Sequence, residues 1–176
     1  YLGNPNVHSL GAMTHGVALA QSFRTRNKFS ATSVDQLPHQ LAAYQMFGNQ
    51  ALFPIPDIDR TQFFLIVGGN PLVSVSTNGF DTRNPAKRLK QAQARGMKLI
   101  VVDPRRTETA DMADLHLPIQ PGTDVALFNG MLHILARDGL LDMPYVQRHT
   151  EGFDALMDIV RNFTPEAVAQ TCGIPQ

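Results

Sequence analysis

The sequence predicts an α/β fold with a mostly parallel sheet and flanking helices, on three observations. Phe63-Phe64-Leu65-Ile66-Val67 and Leu99-Ile100-Val101-Val102 are continuous apolar runs, the pattern of strands buried on both faces. Each run stops at a turn: Gly68-Gly69-Asn70-Pro71 after the first, Asp103-Pro104-Arg105-Arg106-Thr107 after the second. A helical stretch separates them, as a parallel crossover requires. Open α/β sheets gather ligands beyond the carboxyl ends of their strands, so the chemistry is expected at residues 68–74 and 103–107. Glycine next to cationic side chains at such ends suits a nucleotide.

Each element has a local cause. Residues 1–9 form a turn-rich entry, and Leu10 to Arg24 reads as a helix of small residues with Gly11 and Gly16. A second helix, Pro38 to Phe47, ends at Gly48-Asn49, and Pro54-Ile55-Pro56-Asp57 leads into the first strand. Asn84 is placed to cap a helix with Pro85 at its first position, and Ala86 to Arg95 follows with Lys87, Arg88, Lys90 and Arg95 on a wet face. Gly96 then takes the left-handed turn that other residues resist and sends the chain into the second strand. Thr107 reads as the cap of a short helical turn, and Leu115 to Ile119 as a third strand. Pro121-Gly122-Thr123-Asp124 opens a helix to about Asp138, with Val125, Phe128, Leu132 and Leu135 at helical spacing and Gly139 as its stop. Pro144 to Arg148, Phe153 to Val160 and a helix begun by Thr164-Pro165-Glu166 complete the chain. The expected divisions are a helical portion over 1–60, an α/β core over 61–140 and a helical extension over 141–176, all within one structural domain.

Composition narrows the function. The 176 residues are 43% hydrophobic, enough for a real core, and 15 basic residues balance 15 acidic ones. Zero net charge argues against a nucleic-acid or anionic-lipid partner. No stretch approaches the roughly 20 apolar residues of a membrane span. The single Cys172 allows neither an internal disulfide nor a four-cysteine metal site, and is expected to be a small apolar residue near a helix end. Beginning on Tyr1 with no export signal, the chain reads as part of something longer, in the cytoplasm or alternatively the periplasm.

The turns carry specific chemistry, each beside an ordinary structural role. Gly68 and Gly69, lacking Cβ atoms, let backbone N–H groups approach a pyrophosphate, and Asn70 adds a side-chain donor; the alternative is a tight turn with no ligand. The three-glycine dinucleotide fingerprint is absent, because Leu72-Val73-Ser74 follows and the helix waits until Pro85. Asp103 is placed to accept ribose hydroxyls or to make an Asp-Pro turn. Arg105 and Arg106 suit phosphate oxygens, or one of them pairs with Glu108 or Asp111. Asp124 suits the N1–H and amino group of guanine, an edge that adenine lacks; otherwise Asp124 or Thr123 caps the helix. The histidines show no metal spacing and read as satisfied core or surface imidazoles.

Taken together, Gly3-Asn4-Pro5, Gly69-Asn70-Pro71, Val102 through Ala110, Ala113-Asp114-Leu115-His116 and Pro121 through Leu127 resemble the molybdopterin oxidoreductases, the family of dimethyl sulfoxide reductase and formate dehydrogenase. The likeness extends through Thr150-Glu151-Gly152-Phe153 and Thr164-Pro165-Glu166. It implies a Rossmann-like three-layer domain that holds one molybdopterin guanine dinucleotide of a bis(molybdopterin guanine dinucleotide) molybdenum cofactor. By the same resemblance, Gly68, Gly69, Asn70, Pro71 and Ser74 meet the phosphates. Asp103, Pro104, Arg105, Arg106 and Thr107 meet ribose and pyrophosphate, Gly122, Thr123 and Asp124 the guanine, and Asn4 the pterin. The position of the family's metal ligand, usually a Cys, selenocysteine or Ser, falls on Asp35, three residues before Pro38. A carboxylate there resembles the branch that includes membrane-bound nitrate reductases and suits a hard, high-valent molybdenum; otherwise Asp35 is a charge ahead of a helix.

The resemblance implies two-electron redox, commonly oxygen-atom transfer or formate oxidation, in a longer enzyme. It also implies an iron–sulfur cluster outside this stretch, contacts with the remaining domains and an electron-transfer subunit. Alone, the chain is expected to be inactive. Two other readings stay open: a metal-free homologue such as the large iron–sulfur subunit of respiratory complex I, and an unrelated α/β nucleotide module such as the central domain of thiamine-diphosphate enzymes.

Overall fold

A computed structural model describes residues 9–27, 29, 34–52, 54–74 and 84–176. The chain divides into two compact units, Tyr1–Ile55 and Pro56–Gln176, the break falling inside the proline-rich connector. The first unit carries helices α1 (Leu10–Ser22) and α2 (Leu37–Phe47). Ser9 Oγ caps α1 by accepting from the Ala12 N–H at 3.4 Å. That helix stops two residues short of the expected Arg24, which adopts a left-handed φ of 47°. α2 ends at Gly48, as expected.

The second unit is built on a three-stranded parallel sheet in the order β1 (Phe63–Val67), β2 (Lys98–Val102), β3 (Leu115–Leu117). Helix α3 (Pro85–Ala94) forms the first crossover, with Asn84 Oδ1 accepting from the Lys87 N–H at 2.9 Å and Gly96 at φ 99° ending it. Its wet face is partly tied down, because Arg88 forks onto the Asp59 carboxylate and Arg95 donates to the Ile58 carbonyl. A 3-10 turn (Ala110–Met112) precedes β3. Then come α4 (Asp124–Arg137), α5 (Met143–His149), α6 (Phe153–Val160) and α7 (Pro165–Cys172).

Alternation along the strands explains the three layers, since successive side chains leave opposite faces of a sheet. Ile66, Leu99 and Val101 join Leu89, Ala92 and Met97 in one core beneath α3. Leu65, Val67, Val102 and Leu117 face the other way, toward Ala126, Leu127, Val168 and Cys172 of α4 and α7. The continuous apolar runs are therefore strands with a core on each side.

In the second unit one strand end and one helix face have causes that local pattern does not show. β3 ends at Leu117 rather than Ile119, because the Ile119 N–H, next in line to continue the ladder, turns back onto the Leu117 carbonyl at 3.0 Å. In α4 the stripe Val125, Phe128, Leu132, Leu135 gives the helical period, yet the buried face is the opposite one, Ala126, Leu127 and Gly130. Val125 is 71% exposed and Phe128 45%. Small residues face inward so that α4 lies close on α7: a Cβ on Gly130 would meet Val168 Cγ2 at 2.7 Å. No helix among the described residues is long and apolar enough to cross a membrane.

Candidate functional site

Parallel pairing in register sets the ends of the three strands level. Val67 lies opposite Val102, and Val102 opposite Leu117. The ladder runs on past the strands, with the Gly68 N–H donating to the Val102 carbonyl at 2.8 Å and the Asp103 N–H to Leu117 at 3.2 Å. Residues 68–74, 103–107 and 118–123 therefore leave one edge of the sheet together.

The first two turns are fastened to each other. Asn70 opens a turn whose carbonyl accepts from the N–H groups of Val73 (3.0 Å) and Ser74 (2.8 Å). Its side chain reaches across: Nδ2 donates to Glu108 Oε2 at 2.9 Å, and Oδ1 accepts from Thr109 Oγ1 at 2.6 Å. Both ends of the amide are thus engaged within the protein. The Asn70 bond, followed by Glu108's own backbone N–H, holds the Glu108 carboxyl below its ordinary range, with Arg105 adding to the effect. Thr109 is fully buried, and so is Pro71.

Beyond β2 the side chains divide. Asp103 Oδ1 accepts from the Arg105 N–H at 2.8 Å, a turn bond, and its other oxygen has no partner among the described residues. His116 of β3 places Nε2 2.8 Å from the Asp103 carbonyl, which steadies this turn from the neighbouring strand. Arg106 Nε binds Asp111 at 2.6 Å, whereas Arg105 makes no ion pair among the described residues. Pro104 is exposed. Thr107 is 3% exposed and caps the 3-10 turn by accepting from the Ala110 N–H.

The third end is open. Gly122 (φ 82°) turns the chain into α4, but Thr123 does not cap it: its hydroxyl donates to the Gln120 carbonyl at 2.6 Å. Half-buried Asp124 stands in the first turn, its carboxylate without a hydrogen-bond partner among the described residues. Helix α7 braces this loop from behind. The Cys172 carbonyl accepts from the Gln120 N–H at 2.8 Å, and its thiol lies 3.6 Å from the Thr123 carbonyl.

Asp35 belongs to the first unit. It is exposed in the turn before α2, one residue ahead of the N-cap Gln36, and forms no hydrogen bond or ion pair with the described residues. Asn4 lies outside the described residues. Among them there is no group of three or more His, Cys, Asp or Glu side chains able to hold a metal ion unaided. His116 and His133 are satisfied on backbone carbonyls, as expected. Glu108, Thr109 and His116 were not singled out as site residues from sequence. Their roles depend on partners 38, 39 and 13 residues away, which no local pattern announces.

Three level parallel strand ends of an α/β unit thus bring to one edge an arginine, two acids with open oxygens and a helix amino terminus that, among the described residues, have no side-chain partner there. The sequence model of the molybdopterin oxidoreductases matches residues 6–160, and the chain belongs to that family. The F420-dependent formate dehydrogenase subunit alpha of Methanocaldococcus jannaschii is 37% identical over 134 residues, 73% of this chain and 18% of the relative. Formate dehydrogenase H of Escherichia coli is 34% identical over 153 residues, 85% of this chain and 20% of the relative. Acetylene hydratase from Pelobacter acetylenicus superimposes with a TM-score of 0.68 at 30% identity, covering 84% of this chain and 19% of that one. The chain spans about a fifth of these curated relatives. Family membership implies a molybdenum–pterin cofactor, and sets aside an unrelated nucleotide module.

Proposed function

We propose that this chain is the part of a molybdenum-dependent oxidoreductase that holds one molybdopterin guanine dinucleotide of a bis(molybdopterin guanine dinucleotide) cofactor. The observation that carries this reading is the third strand end, where the amino terminus of α4, without a side-chain cap, stands beside a carboxylate that has no hydrogen-bond partner among the described residues. A ligand that used both would pair the Asp124 carboxylate and take up the first N–H groups of the helix, which otherwise face water.

The residues fit the group. Asp124 accepts from the guanine N1–H and amino group, which together present a bidentate donor edge. The open oxygen of Asp103 accepts from ribose hydroxyls, and Arg105 neutralises pyrophosphate with charge-assisted bonds. Gly68 and Gly69 let the chain approach the phosphates without a Cβ in the way. Asp35 offers a hard carboxylate oxygen to molybdenum, and the family resemblance assigns Asn4 to the pterin. When bound, the metal–pterin group supplies two-electron redox chemistry, oxygen-atom transfer or formate-type oxidation; the protein binds and orients it. An iron–sulfur cluster and an electron-transfer subunit complete the proposal. The cluster's cysteines lie outside these 176 residues, which contain only Cys172. The name "subunit alpha" of the Methanocaldococcus relative supports the subunit.

Metal and nucleotide analysis of the purified full-length protein tests this. Molybdenum by mass spectrometry together with GMP released by mild acid is the expected result. Asp124→Ala should lower the GMP, and Asp35→Ala should lower molybdenum relative to GMP. A folded protein free of molybdenum and pterin would be the metal-free homologue and would overturn the reading, while release of AMP or CMP would overturn the guanine assignment.

A further inference from the structure

We infer that Asn70 is a positioning residue whose side-chain amide latches the turn after β1 to the turn after β2 and keeps the Glu108 carboxylate away from Arg105, leaving that guanidinium free for an anionic ligand. The inference rests on the nucleotide-binding reading for its ligand, but its geometry is independent of it. Asn70 Nδ2 donates to Glu108 Oε2 at 2.9 Å while Oδ1 accepts from fully buried Thr109 at 2.6 Å, so one planar group bridges the two turns with its donor and acceptor ends.

The charges explain why the bridge matters. Two arginines follow Pro104; Asp111 neutralises Arg106. Glu108 is the acid that senses the charge of Arg105, and an ion pair between them would cancel the remaining cation. A neutral amide can occupy the Glu108 carboxylate without supplying a positive charge of its own. The amide does this with two separate atoms held in one plane, its nitrogen on Glu108 and its oxygen on Thr109, so it spans the two turns as a rigid bridge. The Ser74 and Val73 N–H groups on the Asn70 carbonyl hold its backbone, so the side chain reaches Glu108 from a fixed base.

The test exchanges the two ends of the bond in the full-length protein. In Asn70→Asp, two carboxylates oppose each other, Glu108 is repelled and swings toward Arg105. Released GMP per protein should fall on the order of tenfold, the weight of one partnered charge. Adding Glu108→Gln restores a carboxylate–amide bond with the roles reversed, so the double variant should return to within about twofold of wild type. If Asn70 instead touched phosphate, the new negative charge would remain in the double variant and occupancy would stay low. That outcome overturns the latch.

Amide hydrogen exchange at 68–70 and 107–109 is the second measurement and needs no cofactor. Exchange should quicken in Asn70→Asp and slow again in the double variant. Wild-type protein without GMP would sink the nucleotide-binding reading while the exchange data still decide the latch. Equal exchange in all three proteins would sink the latch alone.

Discussion

Asp114 shows how one carboxylate fastens the edge of the sheet opposite the site. Its Oδ2 accepts from the Leu99 N–H at 2.9 Å, its own N–H donates to the Leu99 carbonyl at 2.8 Å, and Lys98 Nζ lies at 3.2 Å. The Leu99 N–H first, and then Lys98, hold its carboxyl below the usual range. A carboxyl depressed in the native state stabilises the fold above its unfolded pKa, about 3.9 for aspartate, and that stabilisation disappears as pH falls through the native value. Melting temperatures across an acid series should therefore drop more steeply for wild type than for Asp114→Ala, with the variant less stable at neutral pH. Parallel curves would show that Asp114 contributes nothing through its charge. Side chains of this kind differ in how visible they are from sequence. Asn84, Thr107 and Thr164 bond backbone N–H groups three residues ahead and are legible as caps. Asn70 looks like a free donor in sequence and is engaged in the structure, because Glu108 and Thr109 reach it only once two strands have paired.

At the scale of elements, the strands and caps follow from local pattern, and so does the crossover. The inward face of α4 does not. Its bulky stripe fixes the period, but burial follows closeness of approach, and the side carrying Ala126 and Gly130 admits α7 where the Phe128 side would hold it off. Gly130→Ala should therefore cost about 1–3 kcal/mol by overpacking against Val168, measured by urea unfolding. Pairing it with Val168→Ala should recover part of that loss, since the two side chains compete for one volume. An additive double variant would mean that the helices separate instead of pressing on that valine. The three strand-end turns are legible as strand ends that meet at one edge, because period and punctuation define where a strand stops. That Thr123 leaves α4 uncapped is not, since its hydroxyl has a donor's choice that the sequence does not record.

On the scale of the whole molecule, the chain is two units, and the strand-end residues proposed for the dinucleotide come from segments of the second as far apart as Gly68 and Asp124. The family model ends at residue 160, yet the loop before Asp124 is braced by Cys172, beyond that limit. This makes the buried thiol a clock. Its sulfur can meet a bulky alkylating reagent only when α7 lifts from the loop, so labelling counts local openings rather than thiol chemistry. GDP bound at the strand ends should slow labelling of Cys172 in native protein, read by intact-mass spectrometry; an unchanged rate would mean that α7 opens without disturbing the loop. A single cysteine, unsuited to metal or disulfide work, thus serves as a probe that reports occupancy from the far side of the loop.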